Sequence, residues 1–183
     1  RVKEKLREVL ERLEREIRKI LKDNKETVKR IEEEARRAVE KNKEALKRLE
    51  DRVRELLEDK DQEDRKKVKD VVDELRKSSK KLTDKIRKIL EDIKKTSEDL
   101  ERRVKEVLDK LREDVKRIEE KPVDEEKVER LAEELRKIVR KIIEDVRKHS
   151  EDVRKILEDV KKEVDDHVRE MEEIVKRLED EIR

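Results

Sequence analysis

Apolar residues recur along this chain in a pattern that repeats every eighteen residues. In the last third of the chain the pattern starts at Val128 with steps of 3, 1, 3, 3, 1 and 3 residues, and it starts again at Val146 and Val164. The same steps start at Val68 and at Ile17. Eighteen residues make five turns of an α-helix, so these positions stay on one face. The pattern therefore predicts long helices, each with a continuous apolar stripe.

The width and phase of this stripe predict how the helices associate. At about 100° per residue, its seven positions cover an arc of about 120°, which is wide enough to face two neighbouring helices. A seven-residue repeat drifts around a straight helix and imposes a left-handed supercoil, whereas an eighteen-residue repeat does not drift. We therefore expect nearly straight helices that bury their stripes against each other. Outside the stripes we expect a solvated surface, because Lys, Arg, Glu and Asp alternate there.

Two short segments interrupt the pattern. In the first, 59–64, Asp61 is a suitable N-cap for a helix whose first turn is acidic. In the second, 120–124, Pro122 cannot continue a helix interior, and Asp124 is another candidate N-cap. These interruptions divide the chain into three helical parts of nearly equal length.

The sequence thus predicts an all-α fold: a single-chain, antiparallel, up-down-up three-helix bundle that spans residues 1–183 as one domain. Val123 and Val128 have the spacing of a hydrophobic staple at the start of the third helix. Each helix would be roughly 85 Å long at about 1.5 Å per residue. The predicted helices cover about 2–59, 62–119 and 125–182, with loops at about 60–61 and 120–124.

Composition alone leaves disorder open, because 62% charged residues without any aromatic residue are also typical of disordered chains. A disordered chain has no reason to keep the phase of an apolar stripe, so the repeat favours the folded bundle. The chain has no Gly for a phosphate-binding loop and no Cys for thiol chemistry. Its net charge of +2 does not indicate nucleic acid, and no apolar run is long enough for a membrane span. We expect no enzymatic activity, no cofactor, no required partner, and a soluble protein in the cytoplasm of an expression host.

Polar residues interrupt the apolar stripes at related positions on all three helices. Each helix carries its polar group twice, and the two copies are eighteen residues apart. The residues are Asn24, Thr27 and Asn42 in the first helix, Ser78, Ser79, Thr96 and Ser97 in the second, and His149, Ser150 and His167 in the third.

The positions of these residues predict that they meet. Residues that face each other in an antiparallel hairpin share one midpoint. Asn24 with Ser97 and Asn42 with Ser79 share a midpoint inside the first loop, and the same serines share one with the two histidines inside the second loop. The sequence therefore predicts two buried polar layers, about 27 Å apart. One comprises Asn24, Thr27, Thr96, Ser97, His149 and Ser150, and the other Asn42, Ser78, Ser79 and His167.

Three interpretations of these layers differ in the chemistry they require. A catalytic triad would need an orienting acid and an oxyanion hole besides His and Ser, and neither layer contains Asp or Glu. A zinc site would need three or four ligands, and each layer offers one His. A hydrogen-bond network that specifies register needs only matched polar groups. We favour the network, because a buried polar group without a partner costs about 1–3 kcal/mol and a slipped register would set Asn against Leu.

With its eighteen-residue stripes, near-equal helices, aromatic-free core and matched polar layers, the chain resembles de novo designed, parametrically built helical bundles with buried hydrogen-bond networks. The resemblance covers the whole chain and implies a thermostable structural scaffold with no natural substrate and no catalytic, metal or cofactor site. The two His are a departure, because simpler networks use Asn, Ser, Thr and Gln.

The charged outer faces favour a monomer, since an interface between copies would need apolar residues beyond the stripe. The alternative is a helical interaction module that assembles with itself or with a partner chain. Such a module could respond to pH through His149 and His167, because protonation removes an acceptor and buries a charge.

Overall fold

The structure, a computed structural model, describes residues 2–182 and the side chains of residues 4–182. It contains three long helices: α1 (Val2–Glu55), α2 (Gln62–Glu119) and α3 (Glu125–Ile182). The helices pack together, with α1 in contact with both α2 and α3, and no strand occurs within residues 2–182. The predicted all-α three-helix bundle is therefore confirmed, and α2 and α3 have the predicted bounds.

The end of α1 differs from the prediction, because the helix stops at Glu55 and not near residue 59. Beyond it, the amides of Leu56 and Leu57 donate to carbonyls three residues back, at 3.1 and 3.0 Å, so the last turn is tighter than an α-helix. Asp59 then takes a left-handed conformation with φ of 64°, which Asp tolerates better than most residues. The prediction was too long because the alternation of charged residues continues through this turn and carries no stop signal.

Both predicted N-caps are present. The Asp61 carboxylate accepts a hydrogen bond of 2.9 Å from the backbone N–H three residues on, at the start of α2. The Asp124 carboxylate accepts the equivalent bond of 2.8 Å at the start of α3. Val123 packs against the apolar cluster that contains Val128, in agreement with the predicted staple. Caps and staple together explain why these two helices begin where the sequence indicates.

Contacts divide the chain into two compact units, and each unit takes a part of all three helices. Unit 1 comprises Arg1–Arg30 and Ile93–Val153, and unit 2 comprises Ile31–Asp92 and Arg154–Arg183. Each unit has an apolar cluster of its own. The cluster of unit 1 includes Leu6, Leu10, Leu13, Ile17, Leu108, Leu111, Val128, Leu135 and Val146. The cluster of unit 2 includes Leu49, Val53, Val68, Leu75, Met171, Val175 and Leu178.

Burial varies across the stripes. Positions at the centre are almost fully buried, as for Ile17 and Leu75, each with 0% of its surface exposed. Positions at one edge remain accessible: Val107 of α2 is 37% exposed and Ile138 of α3 is 39% exposed. Ile143, one position beyond the opposite edge of the α3 stripe, packs against the unit 1 cluster. Among the described residues, no helix combines the length and the apolar content needed to cross a membrane.

Candidate functional site

Two groups of polar side chains interrupt the apolar cores, one in each unit. In both groups α1 supplies an amide, α2 supplies serines and α3 supplies an imidazole, because each stripe repeats after eighteen residues. We call the first group the His149 layer (Asn24, Ser97, His149 and Ser150) and the second the His167 layer (Asn42, Ser78, Ser79 and His167).

The imidazole of the His149 layer connects three helices. Its Nδ1 lies 3.3 Å from Asn24 Oδ1 on α1, and its Nε2 lies 3.4 Å from Ser97 Oγ on α2. The neighbouring Ser150 hydroxyl donates a shorter bond of 2.6 Å to the same Asn24 Oδ1. An amide oxygen can only accept, so Nδ1 must carry a proton. The amide oxygen of Asn24 therefore accepts hydrogen bonds from two side chains of α3, His149 and Ser150.

The imidazole of the His167 layer makes the same connection with shorter bonds. Its Nδ1 lies 2.7 Å from Asn42 Oδ1, and its Nε2 lies 2.9 Å from Ser78 Oγ. The Ser78 hydroxyl also lies 3.0 Å from the backbone carbonyl of Leu75, one turn earlier on α2. The next serine of this layer donates to a sulfur atom of α3, Met171 Sδ, at 3.5 Å. The chain of polar contacts thus runs from α1 through α3 to α2 and ends on a backbone oxygen.

The two layers differ in the surroundings of their amides. Position 150 is Ser, whereas the position eighteen residues later is Val168, so Asn42 Oδ1 has no second donor of this kind. The Asn42 amide nitrogen is buried and has no hydrogen-bond partner among the described residues. Buried donors of this type are costly to leave unpaired, so the His167 layer is not fully satisfied by protein groups.

The predicted meeting of the polar residues is confirmed for most of them. Asn24, Ser97, His149 and Ser150 come together, and so do Asn42, Ser78 and His167, whereas the predicted facing pairs of Asn and Ser do not bond directly. His149 lies between Asn24 and Ser97 and binds both, whereas His167 binds Asn42 and Ser78 and not the predicted Ser79. The reach of an imidazole, with one nitrogen on either side, explains this arrangement.

The two threonines differ in burial. Thr27 is buried, with 8% of its surface exposed, as predicted for a residue of the α1 stripe. The placement of Thr96 inside the first layer was wrong, because this residue is exposed. It occupies the outermost position of the seven-position arc on α2, where a rotation of about 20° separates a buried from a solvated side chain.

The layers are also less buried than predicted. The amides are buried, with 6% of Asn24 and 1% of Asn42 exposed, and so is Ser79 at 5%. Both imidazoles and the other three serines are half-buried. The two rings and Ser78 lie near the accessible edge of the α3 and α2 stripes, where solvent reaches one side of the ring.

Burial of the rings changes their protonation. Desolvation lowers the pKa of His149 below its ordinary value of 6.5, and the carboxylate of Asp152, on the same face of α3, partly opposes this. Desolvation likewise lowers the pKa of His167, and Glu170 partly opposes it. Both rings are therefore neutral at pH 7, with the proton on Nδ1 and a lone pair on Nε2.

Sequence reasoning missed two buried carboxylates, because it assigned every charged residue to a solvated surface. Glu14 is 8% exposed and accepts two hydrogen bonds from Arg112 of α2, at 2.6 and 3.2 Å. Glu179 is 7% exposed and pairs with Arg52 of α1. The long arginine side chains reach over the stripe edge to these carboxylates. Both Glu residues lie three residues before a repeat start, at Ile17 and Ile182, which is the position of Ile143 before Val146. The repeat therefore places them one position beyond the stripe edge, where burial was not expected for a charged residue.

The surroundings of the two rings differ from those of a catalytic histidine. The ring Nδ1 is oriented by an amide oxygen and not by a carboxylate, unlike the histidine of a catalytic triad. Within the described residues, no three His, Cys, Asp or Glu side chains are grouped so that they could hold a metal ion. What the arrangement does chemically is to join three helices through one ring in each unit.

Comparison of the chain with family models gives no match, and comparisons with curated proteins and with solved structures give none either.

Proposed function

We propose that this protein is a structural scaffold whose two polar layers select the register of its helices. The observation that carries the proposal is the repeated three-helix contact of a single ring, from Asn through His to Ser, in both units. The scaffold is a monomer that carries no substrate. Its origin as a designed bundle accounts for the strict repeat, and the resemblance described above supports it.

The energetic argument depends on what a slipped helix would lose. Most apolar positions of the stripes are Leu, Ile and Val, with Ala at a few, so a shift by one turn keeps many apolar contacts. The polar positions are not interchangeable, because a shift leaves an amide and a ring buried among apolar side chains. Each unpaired group costs about 1–3 kcal/mol, and the two layers contain several. The layers therefore penalise wrong registers more than they stabilise the right one.

A register experiment tests the proposal directly. Both loops are lengthened with flexible Gly-Ser segments, so that short connections no longer impose the register. One protein keeps its layers, and a layer-free variant replaces their large polar residues by leucine at Asn24, Asn42, His149 and His167. Because the chain has no Cys, spin labels can be placed at chosen pairs without background labelling.

Suitable label pairs are exposed residues that already form cross-helix ion pairs. Lys5 with Glu129 reports α1 against α3 in unit 1, and Lys85 with Glu163 reports α2 against α3 in unit 2. We expect one narrow distance for each pair when the layers are present. The layer-free variant should show additional distances, since a slip of one turn moves a label by about 5 Å along the helix axis. One unchanged distance in the layer-free variant would refute the register role.

A self-associating module is the second candidate, and one observation favours it. Val107 and Ile138, on α2 and α3 of unit 1, are the exposed large apolar residues of the described chain. A stable interface generally buries about 1,200–2,000 Å² in total, far more than two side chains provide. Light scattering on the unlabelled protein decides between the two: we expect 22.4 kDa, and twice that mass would favour the module.

A further inference from the structure

The two layers differ in what surrounds the serine that binds Nε2. Ser78 Oγ has a second contact, the Leu75 carbonyl at 3.0 Å, besides His167 Nε2 at 2.9 Å. Ser97 Oγ has only its 3.4 Å contact with His149 Nε2 among the hydrogen bonds of the described side chains. A hydroxyl carries one hydrogen, so Ser78 can direct it to the ring or to the carbonyl, whereas the alternative to the ring for the half-buried Ser97 is solvent.

This choice matters when a ring takes up a proton from solvent. In the neutral ring Nδ1 holds the proton and Nε2 is an acceptor, so the serine donates. In the imidazolium both nitrogens are donors, and the serine must become an acceptor. Ser78 can do so by turning its hydrogen onto the Leu75 carbonyl, which leaves its lone pairs free for Nε2–H. Ser97, which is half-buried, would have to turn its hydrogen to solvent, because the described side chains and backbone offer it no bonded acceptor besides the ring.

The hydrogen bond at Nδ1 also favours protonation of His167 over protonation of His149. A charged ring binds its acceptor more strongly, and charge-assisted bonds are short. Asn42 Oδ1 lies 2.7 Å from His167 Nδ1 and accepts no other bond. Asn24 Oδ1 lies 3.3 Å from His149 Nδ1 and is shared with Ser150 at 2.6 Å. The amide of the His167 layer is therefore the better acceptor for a cationic ring.

We propose that the two layers respond differently to acid: His167 accepts a proton with its hydrogen bonds rearranged but intact, whereas protonation of His149 gives the Ser97 hydrogen to solvent and weakens its layer. Mild acid therefore loosens unit 1 and leaves the network of unit 2 closed. The inference rests on the proposed function, because it assumes that these networks hold their units together.

The charged residues beside the layers favour protonation of His149 over His167. The order of the two midpoints therefore separates their effect from that of the hydrogen bonds. Those on the three helices around His149 are Asp23 and Lys25, Lys95 and Glu98, and Lys148 and Asp152. Those around His167 are Lys41 and Lys43, Lys77 and Lys80, and Asp166 and Glu170. The second set has more cations and so opposes a charged ring at His167. These twelve are exposed, where solvent and salt screen them. Glu163, one turn before His167 on α3, is half-buried and pairs with Lys85 at 2.7 Å, which offsets its charge. We therefore expect the direct hydrogen bonds to decide.

The experiment is a nuclear magnetic resonance titration of both rings in the full-length chain. We expect His167 to titrate at a higher pH than His149, with an affinity for the proton about tenfold greater, which equals one pH unit. The carbonyl carbon signal of Leu75 should shift with the titration of His167, because the Ser78 hydroxyl turns onto it. Equal midpoints, or a higher midpoint for His149, would overturn the proposal.

Matched serine variants test the mechanism. Ser78→Ala removes the acceptor for the charged ring and should lower the midpoint of His167 to that of His149. Ser97→Ala removes a bond that the neutral ring accepts and should raise the midpoint of His149, the opposite direction to Ser78→Ala. An unchanged His167 midpoint in Ser78→Ala would contradict the hydroxyl reversal. Register distances are measured separately at pH 7. If the midpoints do not have the expected order, the scaffold role is unaffected, and if the register test fails, the midpoints are unaffected.

Discussion

Whether an individual side chain is buried or solvated is least certain at the edges of the stripes. Glu14 and Arg112 show this: the carboxylate is buried, while the guanidinium lies over it and is nearly half exposed. The hydrogen bond to Glu14 raises the pKa of Arg112, so the cation persists at any pH of interest. Arg18 also approaches the carboxylate, at 3.6 Å. Removing an arginine would leave a buried charge without its main partner, which is costly. The intact ion pair nevertheless adds little net stability.

Removing the two partners of this pair should therefore have unequal effects. Arg112→Met leaves the buried Glu14 carboxylate with only the longer Arg18 contact, and we expect a loss of about 1–2 kcal/mol in the free energy of unfolding. Glu14→Leu removes the buried charge itself and should cost less than about 0.5 kcal/mol or stabilise the protein. Urea unfolding measures both, with Arg12→Met as an exposed control. Equal losses for the two variants would mean that the pair is an ordinary surface salt bridge.

The helices themselves are specified mainly at their ends. The two Asp caps begin α2 and α3, while α1 ends without glycine through a left-handed Asp59. The end of α3 is stabilised from outside, since its last turn has no basic residue and Lys60 of the first loop donates to the Ile182 carbonyl at 3.2 Å. A cation at a helix C-terminus interacts favourably with the helix dipole. The first loop thus serves two helix ends.

Substitution of Asp59 tests the termination of α1. Asp59→Gly should raise the stability by a few tenths up to about 1 kcal/mol, because glycine adopts a φ of 64° without steric strain. Asp59→Ala should lower it by about 1 kcal/mol, since alanine in this region clashes with the following carbonyl. Thermal unfolding of the two variants gives the comparison. If alanine and glycine behave alike, the left-handed turn is absent in solution.

Over the whole molecule, each unit combines an apolar cluster with one partly solvated histidine network. Because the pKa of both rings is lowered in the folded chain, the unfolded chain binds more protons once the pH falls below about 6.5. The stability that depends on neutral rings is therefore complete above this pH. It is lost as the pH falls from there through the lowered pKa values.

Thermal melts between pH 7 and pH 5 measure this loss. We expect the melting temperature to fall by about 2–4 °C for each kcal/mol lost, given the size of the chain. A His149→Asn, His167→Asn double variant should lose less over the same interval, since asparagine does not titrate. Identical pH dependence of the two proteins would show that the carboxylates, and not the rings, govern acid stability.

Several features of this protein follow from the sequence by itself. The stripe period, the Asp caps and the Pro122 break predicted three helices, and the shared midpoints predicted the contact of Ser97 with His149, although they paired His167 with Ser79 and not with Ser78. These properties are local or follow from counting residues along antiparallel helices. They do not depend on how far any helix is rotated about its axis, so the chain specifies them before packing does.

Only the tertiary structure decided the details at the edges of the stripes. In the folded chain Thr96 is exposed, whereas Glu14 and Glu179 are buried. His167 binds Ser78, and Ser79 binds Met171. Neighbouring positions of the stripe differ by about 20° in direction, so a small rotation of a helix changes which side chain is buried. That rotation depends on the packing of all three helices together, and no single stretch of sequence contains it.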